Sequence, residues 1–196
     1  MQLLLASHNL NKKKEMQGIL PASFQILDLS DLNITDEIEE YGASLEENAL
    51  IKVRYLHHML KLNCIGEDSG LEVEALNGAP GIYSARYAGP EKKSNENIKL
   101  LLKNMEHSTN RNAQFRTVIA LILNNTEYLF EGVIKGTIAH DRAGLYGFGY
   151  DPVFIPEFYN QTFAELGDEV KLKISHRSRA VQKLVSFINT FEKIHY

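Results

Sequence analysis

Gln2-Leu3-Leu4-Leu5-Ala6-Ser7-His8-Asn9-Leu10-Asn11-Lys12 decides how this chain is to be read. Residues 2 to 7 form an apolar run of strand length, too short for a signal peptide and lacking a basic leader. A lysine-rich helical pattern follows from Asn11 to Leu20, with apolar Leu10, Met16, Ile19 and Leu20, and Pro21 stops it. Strand, turn and helix in that order open an α/β fold. The turn itself is chemically suggestive. Backbone N–H groups at a helix start favour an anion, and Lys12 adds a point charge. The loop lacks the glycines of a Walker A motif, so on its own an ordinary helix cap explains it better.

Outward from this unit, the elements alternate. Phe24 to Leu29 reads as a second strand, and Asp31 to Tyr41 as an acidic irregular loop holding Glu37, Glu39 and Glu40. Ser44 caps the next helix, with Glu47 three residues on as a capping box. Leu45, Ala49, Val53, Leu56 and Leu60 supply its apolar stripe, and it ends near Leu62. Asn48 and Lys52 are four apart and look the same way. Cys64 to Glu67 and Leu71 to Ala75 read as short strands flanking a carboxylate turn, Glu67-Asp68-Ser69-Gly70. Gly78 to Gly81 is a turn by composition, and Asn95 to Met105 a helix. Ala113 to Leu123 and Tyr128 to Ala139 form a hairpin about Asn124-Asn125. A C-terminal helix carries Ala180, Val181, Leu184, Val185, Ile188 and Phe191 on one face.

The bulk numbers set limits. A chain of 196 residues buries a core without staples. Its formal charge of -4 argues against a non-specific nucleic-acid binder. Its single cysteine, Cys64, excludes an internal disulfide and reads as a small buried apolar residue. No span reaches membrane length, and the cytoplasm is the default location. The expected architecture is one α/β domain over residues 1–196, a mixed sheet with helices on its faces.

Chemistry concentrates in Glu67 and Asp68. Adjacent residues on extended backbone point in opposite directions, so one can bind metal while the other packs elsewhere. Magnesium takes one or two carboxylates together with substrate phosphate oxygens, and Glu39 or Glu40 could supply the second. Phe148, Tyr150 and Asp151, in a glycine-aromatic segment, could stack and hydrogen-bond a base. Ser175-His176-Arg177 precedes the last helix, and arginine's fork suits a carbonyl or a phosphate.

Six ordered motifs carry a resemblance. They are Ala6-Ser7-His8-Asn9-x-x-Lys12, Glu46-Glu47-Asn48-Ala49-x-x-Lys52, Glu67-Asp68-Ser69-Gly70-Leu71, Gly78 through Tyr87, Gly147-Phe148-Gly149-Tyr150-Asp151-Pro152 and Ile174-Ser175-His176-Arg177. Together, from residue 2 to about 190, they resemble the inosine triphosphate pyrophosphatase family, the XTP/dITP diphosphohydrolases. The resemblance implies an elongated mixed sheet flanked by helices, and two lobes with a central substrate cleft. It implies hydrolysis of ITP, dITP or XTP to the monophosphate and pyrophosphate, with magnesium, in a homodimer, without nucleic-acid or membrane partners.

Carried onto this chain, Asp68 resembles the catalytic carboxylate and a metal ligand. Glu39 matches the second metal-binding acid, with Glu40 as the alternative. Ser7, His8, Asn9, Leu10, Asn11 and Lys12 resemble the triphosphate loop, and Lys52 a helix lysine facing the phosphates. Ser69, Phe148, Gly149, Tyr150, Asp151, Lys171, His176 and Arg177 resemble the substrate contacts. Phe148 would stack the purine, and His176 or Arg177 would donate to its 6-keto oxygen. Adenine presents an amino donor there, leaving those donors unpaired at a cost of about 1–3 kcal/mol. Guanine shares the keto group and must be refused elsewhere.

Two departures stand out. Ser7-His8 occupies a place where many members have Thr-Gly, and histidine resists backbone angles that glycine permits. Glu67 stands where bacterial members commonly have aspartate. Two other functions share the broad architecture: a nucleotide-binding sensor without catalysis, and a pyrophosphatase of dTTP or modified pyrimidine nucleotides.

Overall fold

Strand β1 (Gln2–Leu5) is the spine of the first half of the sheet. The computed structural model describes residues 1–195. β1 lies parallel to β2 (Gln25–Asp28), with Leu3 opposite Ile26, and parallel to β3 (Cys64–Val73), with Leu4 opposite Cys64. Helix α1 (Leu10–Ile19) makes the crossover between the first two strands, and α2 (Leu45–Leu60) precedes the third. Such apolar parallel strands need helices over them, as expected from the sequence.

The remaining elements are α3 (Ser94–Asn104), β4 (Asn112–Leu123), β5 (Thr126–Ile138), β6 (Phe154–Pro156), α4 (Phe163–Ile174) and α5 (His176–His195). The six strands run in the order β2-β1-β3-β4-β5-β6, a mixed sheet flanked by helices. A turn of only Asn124 and Asn125 joins β4 to β5. Both asparagines sit at positive φ, 50° and 63°, which a tight hairpin demands and asparagine tolerates.

The chain divides into two compact units. The first holds Met1–Asp68, Thr117–Gly132 and Arg177–Tyr196; the second holds Ser69–Arg116 and Val133–His176. Each has its own core. In the first, Leu5, Met16, Ile65, Ile119 and Leu184 are packed together. In the second, Leu71, Ile98, Phe115, Phe154 and Phe163 are, with Phe115 and Phe154 in ring contact at 4.5 Å. Burying one such side chain fully is worth about 1.5–3 kcal/mol.

Two expectations from the sequence are corrected. Residues 64 to 73 are one continuous strand rather than two strands about a turn. The alternation of Ile65, Glu67, Leu71 and Val73 on one face carries the strand straight through. Its glycines make room for neighbours instead of turning the chain. A Cβ on Gly66 would lie 2.4 Å from the Ala49 carbonyl oxygen, and one on Gly70 2.4 Å from that of Gly81. The second correction is α4, which the sequence reading passed over. Its start carries a full capping box: Thr162 accepts from the Glu165 N–H, and Glu165 accepts from the Thr162 N–H.

Candidate active site

The first unit gathers charge around the end of β1, the middle of β3 and the faces of α1 and α2. Asn9 caps α1, its side-chain oxygen accepting from the N–H groups of Asn11 and Lys12. The Ser7 hydroxyl accepts from the Asn9 N–H at 3.1 Å. These bonds fix the loop that delivers Lys12. His8 is not among the residues at positive φ, so its backbone asks for nothing that only glycine provides. Leu10 and Asn11 are exposed.

Because β3 is extended, Glu67 and Asp68 diverge. Glu67 is fully buried. One of its oxygens is 2.6 Å from Lys12 Nζ; the other accepts from Arg177 Nη2 at 3.0 Å and from the Thr117 hydroxyl at 3.2 Å. Burial is the largest influence on the Glu67 carboxyl and opposes its charge. Lys12 and Arg177 together outweigh it, and hold the group well below the usual carboxylate range. Arg177 is buried to the same degree and also pairs with Glu15 of α1. Burial again opposes its charge, and Glu67 and Glu15 overcome that, raising its pKa.

Asp68 turns to α2. Its Oδ1 accepts from Lys52 Nζ at 2.8 Å, and its Oδ2 from Asn48 Nδ2 at 3.2 Å. Lys52 also donates to the Glu67 carbonyl oxygen and meets Glu40 Oε1 at 2.7 Å. Burial works against the Lys52 charge most strongly, but Asp68 and Glu40 prevail and its pKa rises. Lys12 Nζ is 4.0 Å from Asp68 Oδ1, so the two lysines flank one carboxylate.

This arrangement bears on two of the expected site residues. Glu40, not Glu39, reaches the cluster; Glu39 is exposed on the loop. Arg177, expected to meet a base, gives two of its nitrogens to carboxylates. Buried guanidinium groups are drawn to such partners because two acids offset its desolvation. Three participants were missed in the sequence. Glu15 lies three residues after Lys12 on α1 and was readable by that spacing. Thr117 is fifty positions from Glu67, and nothing local marks it. Asn48 was read as sharing a face with Lys52, without its bond to Asp68.

The second unit forms its own polar cluster. Asp151 Oδ2 accepts from the Phe148 N–H at 2.7 Å and pairs with Lys171 of α4. Lys171 Nζ also lies 4.6 Å from the centre of the Phe148 ring, a cation–π contact. Gly147 takes φ 75°, and a Cβ there would strike the Asp151 carboxylate. Gly149, at φ 62°, completes the turn. Tyr150 is buried, and its hydroxyl donates to the Ser84 carbonyl at 3.0 Å. Its phenol is pushed up chiefly by burial, so it acts as a neutral donor. His176 is buried and stacks on Phe115 at 4.7 Å. Ser69 is half-buried on β3.

Carboxylate oxygens from Asp68 and Glu40 held on one ammonium are hard donors in the right number for magnesium, which fills its shell with phosphate and water. Among the described residues no three acidic, histidine or cysteine side chains are grouped to hold an ion alone. Two carboxylates suit a cation that completes its shell with oxygens from elsewhere.

The Ham1 family model matches residues 3–187. The chain belongs to the Ham1 family. A Flavobacterium psychrophilum relative, named dITP/XTP pyrophosphatase, is 48% identical over 187 residues, covering 95% of this chain and 98% of its own. The Ham1 protein of Staphylococcus aureus superposes with a TM-score of 0.87 at 39% identity, covering 97% and 99% of the two chains. A HAM1 protein from Coxiella burnetii gives 0.88 at 36%, with the same coverage. Family membership bears out the resemblance carried by the six motifs, and the Ham1 structures share the mixed sheet and its flanking helices.

Proposed function

We propose that this chain hydrolyses nucleoside triphosphates of deaminated purines, ITP, dITP and XTP, to the monophosphate and pyrophosphate. Its support in sequence is the relative named dITP/XTP pyrophosphatase, matched over nearly its whole length. The observation that carries it is the sharing of Lys52 Nζ by Asp68 and Glu40, at 2.8 and 2.7 Å, beside Lys12. Two amines and two acids meet there, the groups that a polyphosphate and its counter-ion would call for.

Lys12 and Lys52 neutralise the tail and orient it, which is most of what phosphoryl transfer asks of a protein. Asp68 orients a water and takes its proton as the oxygen attacks the α-phosphorus. The bond from that phosphorus to the bridging oxygen breaks, and pyrophosphate leaves with its charge opposite the lysines. Asn48 holds the Asp68 carboxylate in the required direction. Asp68 and Glu40 would hold magnesium, which when bound supplies Lewis-acid charge to the phosphoryl oxygens. Glu67 keeps Lys12 in place, and Arg177 keeps Glu67 in place.

For the base, Phe148 offers an aromatic face, with Lys171, Asp151 and His176 as the polar groups of its unit. A donor of this unit set against the 6-keto oxygen would disfavour adenine by about 1–3 kcal/mol, since the adenine amino group leaves it unmatched. The homodimer and the cytoplasmic setting rest on the family resemblance and on the sequence alone.

A pyrophosphate-release panel over ITP, dITP, XTP, the canonical nucleotides and dTTP, with magnesium and with EDTA, tests this reading. Release from ITP or XTP at least tenfold faster than from ATP, abolished by EDTA, is expected. Preference for dTTP, or binding without release, would replace it with one of the other two functions.

A further inference from the structure

Asn48, Lys52 and Tyr55 share one stripe of α2, being four and three residues apart. They meet the acidic loop in reverse order. Asn48 Oδ1 accepts from the Gly42 N–H, Lys52 pairs with Glu40, and the Tyr55 hydroxyl donates to Asp36 Oδ2 at 2.9 Å. The loop that carries Glu40 is thus laid along the helix and pinned at three points. At its far end a fourth bond arrives from elsewhere: His8 Nε2 lies 3.0 Å from the Asp36 carbonyl oxygen.

We propose that His8 is a positioning residue that straps the acidic loop to the first β–α loop and so sets where Glu40 stands relative to Lys12. A carbonyl oxygen only accepts, so Nε2 carries the hydrogen. In the neutral ring Nδ1 is then the acceptor, and Ser30 Oγ, 3.4 Å away, is the hydroxyl that donates to it. One ring joins three segments of the first unit: the loop after β1, the turn after β2 and the acidic loop. Removing the ring at position 8 leaves the Tyr55 hydroxyl as the side-chain bond to Asp36 among the described residues. The consequence for Glu40 rests on the proposed function, whereas the strap itself does not.

Wild type, His8→Ala and His8→Gln are to be compared in two ways. Amide hydrogen exchange, without nucleotide or metal, reads the strap directly. Ala is expected to speed exchange of the protected Ile34, Gly42 and Ala43 amides about 3- to 10-fold, the size of one or two ordinary hydrogen bonds. Peptides from α5 should not change. Gln can donate from its amide nitrogen and restores protection. In pyrophosphate release, the magnesium concentration for half-maximal rate should rise by a similar factor in Ala and return in Gln, with a smaller change in KM for the nucleotide. Unchanged exchange in His8→Ala overturns the strap. A raised nucleotide KM with unmoved metal dependence overturns the consequence for Glu40, making His8 a substrate contact. If wild type releases no pyrophosphate from any nucleotide, the proposed function fails, and the exchange data still decide the strap.

Discussion

Replacing Glu67 by glutamine removes one charge from the centre of a buried network and leaves its shape. Glu67 is 2.6 Å from Lys12 Nζ and 3.0 Å from Arg177 Nη2. At an effective dielectric of about 20, each pair is worth roughly 5.5–6.5 kcal/mol before desolvation is counted. Desolvation cancels much of that. Removing one partner still costs about 3–5 kcal/mol, because the other charges stay buried without it. The glutamine oxygen still accepts from Arg177 and Thr117, and Arg177 keeps Glu15. The amide nitrogen, however, points hydrogens at the Lys12 ammonium. A loss near the lower end, about 3 kcal/mol, is expected, or roughly 6–12 °C in Tm for a chain of this length.

The pH dependence gives the same prediction a second arm. The Glu67 pKa is depressed on folding, so its contribution is present above the unfolded value of 4.5 and is lost as pH falls toward the folded value. Wild type therefore loses about 1 kcal/mol between pH 4.5 and 3.5 from this group alone, at a rate that approaches about 1.4 kcal/mol per unit further down. Glu67→Gln has no such loss, and the gap between the proteins narrows at that rate. Urea unfolding at pH 7, 4.5 and 3.5 measures it. Equal midpoints at pH 7, or a gap that stays constant down to pH 3.5, would refute the reasoning.

Lys52→Met removes the ammonium shared by Asp68 and Glu40; turnover in the pyrophosphate assay should fall about 100- to 1,000-fold while circular dichroism is kept. Gly66→Ala puts a methyl 2.4 Å from the Ala49 oxygen and 2.8 Å from the Val53 nitrogen, both backbone of α2. Thermal unfolding should show a loss of about 1–3 kcal/mol. Cys64 is buried with its thiol pushed up to about 12 by desolvation, so at pH 8 an aromatic disulfide reagent should label it only when urea unfolds the chain.

The parts legible in the sequence were those with local causes. The Asn9 end of α1, the stripe of α2 and the paired asparagines of the hairpin each follow from neighbours a few positions apart. So did the divergence of Glu67 from Asp68, since it needs only an extended backbone. The continuous run of β3 was hidden because glycine commonly marks a turn, while Gly66 and Gly70 serve close approach. The start of α4 has a local cause as well, the Thr162–Glu165 capping box. Arg177 could not be placed locally, because its partners lie 162 and 110 positions away. That Glu40 is the acid of the loop that meets Lys52 likewise depends on a backbone course with no local signal.

Pyrophosphate release from ITP by Asp68→Asn, at saturating magnesium, tests the acid–amine cluster most directly. Asparagine keeps the size of the side chain and its place between Asn48 and Lys52, and removes the proton acceptor. The account predicts a rate at least about 1,000-fold below wild type in a protein that still unfolds cooperatively. A folded variant that releases pyrophosphate at close to the wild-type rate would contradict it.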